Sequence, residues 1–411
     1  MLCAGAGPGR AGVGPVRVML CDDSVTVRAA LARLLEADPG IRIVARAGDG
    51  RQAVAAMVAL PPRSRPEVVL LDLEMPVMDG LTALPLLLRA LPDQPPGQPP
   101  PAVIVASALT QRGAAAAMAA LRAGAVDYLP KPGAAGGGLA DPAFQAELLA
   151  KVKGWAGRGR LPGGSRPAPW SGDRPAATAC HPAGSATPAF TVAGAPSGPS
   201  PSRLAPGSLA PSNPAPPLAI GIGCSTGGPQ ALAALLLGLN RPIPVPVLVV
   251  QHMPAGITTL LADHLNRIGR LPCEEAACGA PLLPGRLYLA PGNRHLLAEA
   301  APAGGGLVAR LTDGPPQNFC RPAVDPMLCS LAATGPVLAV ILTGMGQDGL
   351  AGCQAVAAAG GTVLAQDEAS SVVWGMPGAV ARAGLARALL PPEALAGLLL
   401  AACHGEVRGA P

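Results

Sequence analysis

Apolar residues along this chain fall in short runs, separated by stretches whose apolar positions recur at helical spacing. VRVMLC (16–21), IRIVARA (41–47), EVVLLDLE (67–74), AVIVAS (102–107) and VDYLPK (126–131) read as strands. Between the first two, VTVRAALARLLEAD places Val27, Leu31, Leu34 and Leu35 on one helical stripe. Five strands alternating with helices predict a parallel, doubly wound sheet. The alternation returns later in the chain. Strands are expected at 218–224, 246–252, 286–291, 307–312, 337–344 and 361–366. Helices are expected at 228–240, 256–268, 323–334, 349–359 and 376–384. This predicts a second α/β domain, so the fold class is α/β with two doubly wound parallel sheets.

Periodicity fails between the two parts. The chain has 53 glycines and 50 prolines in 411 residues, and they concentrate from Ala156 to Pro217. Asp173 is the only acidic residue there, and no apolar stripe survives. Such a segment cannot bury enough surface to offset its ordering entropy. The expected organisation is a disordered leader (1–15), a first domain (16–155), a flexible Pro/Gly-rich linker (156–217), a second domain (218–405) and a tail (406–411). The Pro-rich stretch at 91–101 reads as an inserted loop.

Composition narrows the function classes. A net charge of +5 is too mild to argue for nucleic acid or a membrane surface. No apolar run is long enough, free of Gly, Pro and charge, to span a bilayer. The first residues lack the apolar core of a signal peptide. The ten cysteines include no C-x-x-C pair, so zinc-site spacing is absent. A cytoplasmic location is expected.

Ligands of open α/β sheets collect at the carboxyl ends of the strands. In the first domain those ends carry Asp22 and Asp23, Asp72, Ser107 and Lys131. Three crowded carboxylates need a cation nearby. Oxygen ligands in modest number suit Mg²⁺, which also bridges to phosphate. Lys131, Lys151 and Lys153 are the only lysines in the chain. That makes a compact ammonium at Lys131 a selected feature, because guanidinium does not reproduce it.

In the second domain GIGCSTGGPQA (221–231) turns a strand into a helix. Such a turn suits a phosphate loop, a nucleophile or no chemistry at all. A P-loop needs a lysine, and this domain has none. The spacing of Gly221, Gly223 and Gly227 also misses the dinucleotide fingerprint by one residue. Gly223 to Gly227 does form G-x-S-x-G, the elbow that presents a serine, with its flanking glycines leaving room for substrate. Ser225 then needs a base and an orienter. His264 falls within a helical pattern, His404 lies near the end of the ordered sequence, and His295 is expected on a loop. His252 ends the next strand. Asp348 lies just beyond another strand end, where capping the helix at 349–359 is its competing role. The order Ser…His…Asp differs from that of α/β-hydrolases.

CDDS, LLDLEMPVMDG, VIVAS and DYLPKP resemble the receiver domain of two-component response regulators over 16–132. The resemblance implies a flavodoxin-like fold and phosphorylation of Asp72 by a histidine kinase. It implies Mg²⁺ held by Asp22, Asp23, Asp72 and the Glu74 carbonyl, phosphoryl contacts from Ser107 and Lys131, and Tyr128 as the switching aromatic. GCSTGGP (223–229), QHMP (251–254), GPPQNFCRPAVD (314–325) and TGMGQDG (343–349) resemble the chemotaxis-specific protein-glutamate methylesterase family over 218–385. That implies a Rossmann-like esterase domain with Ser225 as nucleophile, His252 as base and acid, and Asp348 as orienter. Thr226 and the Met345 N–H would lie near the oxyanion. Demethylation of chemoreceptor glutamates and deamidation of glutamines follow, with no cofactor for the esterase. Partners would be the kinase and methyl-accepting chemoreceptors, with no nucleic acid and no membrane insertion. The receiver would cover the active site until phosphorylated, weakly because the linker is long. Cys224 and Cys320 depart from the family, which commonly has alanine and histidine there. A non-hydrolysing adaptor and an esterase in another chemosensory pathway are the alternatives.

Overall fold

The computed structural model describes residues 14–89, 99–108, 110–131, 138–160, 216–269, 271–302 and 304–406. The expected leader, tail, inserted loop and linker lie mostly outside the described residues. The first sheet contains β1 (Val16–Cys21), β2 (Ile41–Ala47), β3 (Val68–Asp72), β4 (Ala102–Ala108) and β5 (Asp127–Lys131). All are parallel, in the order β2-β1-β3-β4-β5. Every residue of β3 is buried, as a strand covered on both faces requires. The order reverses beside β1, and this opens the crevice where such sheets bind ligands. The register pairs Asp72 with Ala106 and Ser107 with Pro130. The polar strand ends therefore share one edge.

Helices α1 (Val25–Glu36), α2 (Gly50–Ala59), α3 (Gly80–Leu88) and α4 (Gln111–Arg122) cover this sheet. Ser24, Asp49, Asp79 and Thr110 each accept a backbone N–H in the first turn of the helix that follows, satisfying a donor that the helix cannot pair itself. Helix α5 (Pro142–Arg160) corrects the expected boundary at 155. Trp155 and Ala156 are buried in the receiver core, and the Trp155 indole N–H donates to Asp127 at 3.1 Å. The glycines of WAGRGR hid this last turn.

The second sheet holds β6 (Ile220–Cys224), β7 (Val247–Gln251), β8 (Cys273–Glu275), β10 (Leu287–Leu289), β13 (Leu338–Ile341), β14 (Thr362–Gln366) and β15 (Ala388–Leu390). Its order is β15-β14-β13-β6-β7-β10-β8, all parallel. Helices α6 (Gly228–Leu237), α7 (Ile257–Ile268), α8 (Val324–Ala332), α9 (Leu350–Ala358) and α10 (Met376–Arg382) match the five expected ones. Helix α11 (Pro392–Cys403) was not expected, nor were the three-residue strands β8 and β15, which are too short to show alternation. The expected strand at 307–312 is β12 (Leu307–Thr312), but it leaves the parallel sheet. It pairs antiparallel with β11 (His295–Ala300) and β9 (Pro281–Leu282) as a separate three-stranded sheet. His295 therefore begins a strand, not a loop.

The two domains touch. The Gln230 side-chain amide donates to the Val126 carbonyl. Arg158 donates to the Ser370 carbonyl at 2.7 Å. Val372 packs with receiver core residues, and a Cβ on Gly154 would lie 2.5 Å from the Val372 carbonyl. Gly154 thus lets α5 lie directly on the 370–373 segment.

Gly221 and Gly223 serve packing, and for Gly223 this corrects the expectation that it leaves room for substrate. A Cβ on Gly223 would meet Val324 of α8 at 2.5 Å, and one on Gly221 would meet Leu328 at 2.5 Å. They let α8 lie against β6. Gly223→Ala should therefore cost about 1–3 kcal/mol, the usual cost of overpacking, read as a lower urea midpoint. An unchanged midpoint would show that α8 yields freely.

Candidate active site

Strands β6 and β7 are neighbours, with Cys224 opposite Gln251. Ser225 and His252 therefore leave the sheet side by side. The His252 N–H donates to the Cys224 carbonyl at 3.2 Å, and the Ser225 N–H donates to the Thr343 carbonyl at 3.0 Å. Gln251 adds its amide to the Ser225 carbonyl at 2.9 Å. Strand β13 flanks β6 on the other side, pairing Ile341 with Gly223. The loop after it carries Met345 and Asp348 along the same edge. Gly227, at φ +72°, makes the sharp entry into α6 that a residue with a Cβ resists.

Asp348 is 1% exposed and fully engaged. Its Oδ2 lies 2.7 Å from His252 Nε2 and accepts the Val324 N–H at 2.7 Å. Its Oδ1 accepts the N–H groups of Asp325 and Gly349 at 3.0 and 2.9 Å, and the Asn318 amide at 3.1 Å. Val324 and Asp325 open α8. The capping role foreseen for Asp348 is thus real but falls on α8. Helix α9 has Gly349 at its start and no side-chain cap. A carboxylate at a helix N-terminus is favoured by the dipole and by the unpaired N–H groups.

This environment sets the charges. Burial works to raise Asp348, but the His252 bond and the N–H groups of Val324 and Asp325 hold it below the usual carboxylate range. Burial works to lower His252, yet the bonds to Asp348 and Cys320 carry it above its ordinary value. An ionised carboxylate accepts only, so Nε2 carries the proton and Nδ1 is the basic nitrogen. Cys320 Sγ lies 3.4 Å from that Nδ1, within reach of a hydrogen bond from the protonated ring, which favours the charged form. Asp325 is held above the usual range by burial and the neighbouring Asp348 charge, and Asn318 spans both carboxylates.

Thr226 is 3% exposed and Met345 is half-buried. Among the described residues neither backbone N–H has a protein acceptor, so both can serve a bound oxygen. Cys224 is buried and donates to the Val250 carbonyl at 3.6 Å. Burial pushes its thiol up, so it stays protonated and packs as a small hydrophobe. The other described histidines are engaged elsewhere. His264 is buried on α7, His295 Nδ1 accepts the Ala323 N–H at 3.2 Å, and His404 Nε2 lies 3.1 Å from the Pro242 carbonyl.

Sequence reasoning missed Thr343. Its hydroxyl accepts the N–H groups of Val372 and Val373, each at 3.0 Å, and donates to the Thr226 carbonyl at 2.9 Å. The segment on which α5 rests is thereby tied to the Ser225 turn. Only the threonine that opens TGMG (343–346) could have hinted at this.

At the receiver edge, Lys131 Nζ donates to Asp72 at 2.6 Å and lies 2.8 Å from Asp22. Asp22, Asp23 and Asp72 bring carboxylate oxygens within 4.8 Å of one another. That hard-oxygen cluster is typical of a Mg²⁺ site. Burial raises Asp72, and Lys131 partly offsets this. Burial alone would lower Lys131, but its bonds to Asp22 and Asp72 carry it above the ordinary lysine value. Tyr128 is buried and raised well above the usual tyrosine value by that burial. Ser107 and Tyr128 line a cleft of about 420 Å³ that Pro254, Asn293 and Arg321 close from the second domain.

A receiver with an acidic edge, joined to an α/β domain of hydrolase-like geometry, places the chain among response regulators with an enzymatic output. Residues 18–137 match the pattern of the response regulator receiver domain, and residues 220–399 match that of the CheB methylesterase. The protein-glutamate methylesterase/protein-glutamine glutaminase of Azospirillum brasilense is 47% identical over 94% of this chain and 93% of its own. One from Paramagnetospirillum magneticum is 46% identical over 92% and 94%. The solved CheB methylesterase catalytic domain of Thermotoga maritima is 39% identical. It covers 45% of this chain and 98% of its own, with a TM-score of 0.43. This chain belongs to the protein-glutamate methylesterase/protein-glutamine glutaminase family.

Emptying the Asp348 position should leave the α8 donors and the Asn318 amide unpaired. Asp348→Ala is expected to cost about 3 kcal/mol or more, measured by urea unfolding. A loss below about 1 kcal/mol would contradict the bonding described.

Proposed function

We propose that the second domain is a serine esterase that hydrolyses glutamate methyl esters on chemoreceptors, with Ser225, His252 and Asp348 as its triad. The observation that carries this reading is the 2.7 Å pairing of His252 with a buried, fully bonded Asp348 on the strand beside Ser225. Ser225 Oγ attacks the ester carbonyl while His252 Nδ1 takes its proton. The N–H groups of Thr226 and Met345 receive the oxyanion. His252 returns the proton to the leaving methoxide, and methanol departs. Water, deprotonated by the same Nδ1, then cleaves the acyl-enzyme to glutamate. With glutamine the same steps release ammonia. The esterase uses no cofactor. A signalling adaptor would have no need of an oriented imidazole beside an elbow serine.

The receiver governs this activity. Asp72 takes a phosphoryl group from a histidine kinase. Asp22, Asp23, Asp72 and the Glu74 carbonyl would hold Mg²⁺, which neutralises phosphoryl charge. Lys131 and Ser107 contact the phosphoryl oxygens, and Tyr128 responds at the cleft it shares with Pro254 and Arg321. Docking across this cleft restrains the esterase until Asp72 is phosphorylated. Chemotaxis adaptation in the cytoplasm is the setting, where kinases and receptor signalling helices meet. Among the described residues no helix is long and apolar enough to cross a membrane.

Ser225→Ala should release no methanol from methylated receptor after phosphodonor treatment. Release at the unaltered rate would sink the triad assignment. The raised His252 predicts the pH response. The imidazolium cannot accept a proton, so activity appears only as His252 deprotonates. The acidic limb of kcat/KM should have its midpoint above the ordinary histidine value of about 6.5. A midpoint at or below that value would contradict the stabilising role of Asp348.

A further inference from the structure

We infer that Phe319 is a docking anchor for the helical protein segment that presents the substrate glutamate. This inference rests on the esterase reading above.

Gln317 and Cys320 exchange backbone hydrogen bonds at 3.0 and 2.8 Å. The two residues between them, Asn318 and Phe319, have φ of +50° and +63°. Two successive left-handed residues make a type I′ turn, which favours Asn followed by Gly. Asn318 conforms and Phe319 does not. A bulky side chain in this conformation is costly, and strain of this kind collects at functional sites.

Among the described residues nothing compensates that cost. Phe319 is 96% exposed, so its ring packs on no neighbour. The chain has only three phenylalanines, three tryptophans and two tyrosines. Every other described aromatic is buried or half-buried. The ring remains bare although the receiver is docked, so the receiver is not its partner.

The turn is pinned on both sides to the candidate active site. Asn318 bonds Asp348 and Asp325, and Cys320 touches His252. Arg321 is held by the Asn293 side chain and the Asp313 and Gly314 carbonyls. Phe319 thus stands one residue from a group in contact with the base. A rigidly held exposed aromatic gives large contact area with little ordering cost, the profile of an interface hot spot. Its position, one residue from Cys320 at His252, sets the ring beside the place of the substrate glutamate, where it would pack on apolar side chains of the segment that carries it. The contact would place the ester and leave the chemistry to other groups.

The test uses full-length Ser225→Ala protein titrated with a methylated receptor cytoplasmic fragment, alone and combined with Phe319→Gly or Phe319→Leu. Kd is expected to rise about tenfold with glycine and less than threefold with leucine, which keeps apolar contact. With Ser225 intact, Phe319→Gly should raise KM about tenfold and change kcat less than twofold. Glycine also suits the turn, so the melting temperature should rise by about 2–4 °C. Unchanged Kd and KM in the glycine variant would overturn the docking role, as would a fall in melting temperature with parallel losses in kcat. If the unaltered chain releases no methanol from the fragment, the esterase reading itself fails and takes this inference with it. Methanol release with an unchanged Kd overturns the docking role alone.

Discussion

The second domain depends on one buried charge. Asp348 is almost inaccessible to water, and an ionised carboxylate there is tolerable only if every lone pair is bonded. Helix α8, Asn318, Gly349 and His252 supply those bonds. Each donor is thereby fixed relative to the others. Helix α8 can supply its N–H groups only because Gly221 and Gly223 let it lie against β6. The same strand ends in Ser225. A packing constraint in the sheet, a helix terminus and an imidazole orientation are therefore one arrangement seen from three sides.

The receiver and the esterase domain use the same topology to different ends. In each, parallel strands deliver polar residues to one edge. In the receiver three carboxylates cluster there and two of them pair with Lys131. In the esterase domain a single carboxylate meets helix donors and a histidine. The domains are joined by more than proximity. Helix α5 rests on the 370–373 segment, Thr343 binds that segment, and Thr343 also holds the Ser225 turn. Whatever shifts α5 therefore acts on the Ser225 backbone through directly bonded groups.

Much of this was legible in the sequence, for a physical reason. Strands buried on both faces are long apolar runs, and the residue ending each run marks the sheet edge. Asp22, Asp72, Lys131, Ser225 and His252 could be placed that way. Edge strands such as β8 and β15 are three residues long and carry no such pattern. Helix α5 was cut short because GRGR looks like linker, whereas Trp155 is core. The helix that Asp348 caps was misread because its donors come from positions 23 and 24 residues earlier in the chain. The left-handed Phe319 and the Cys320 contact with His252 also arise only once the turn is folded.

Which nitrogen of His252 carries the proton decides what this site can do. Asp348 engages Nε2, so neutral His252 must carry its proton there and leave Nδ1, which lies against Cys320, unprotonated. Nitrogen-15 NMR of labelled histidine in the full-length protein, at a pH above the His252 transition, reads this directly. The expected result is a protonated Nε2 and an unprotonated Nδ1. A neutral ring protonated on Nδ1 would contradict it.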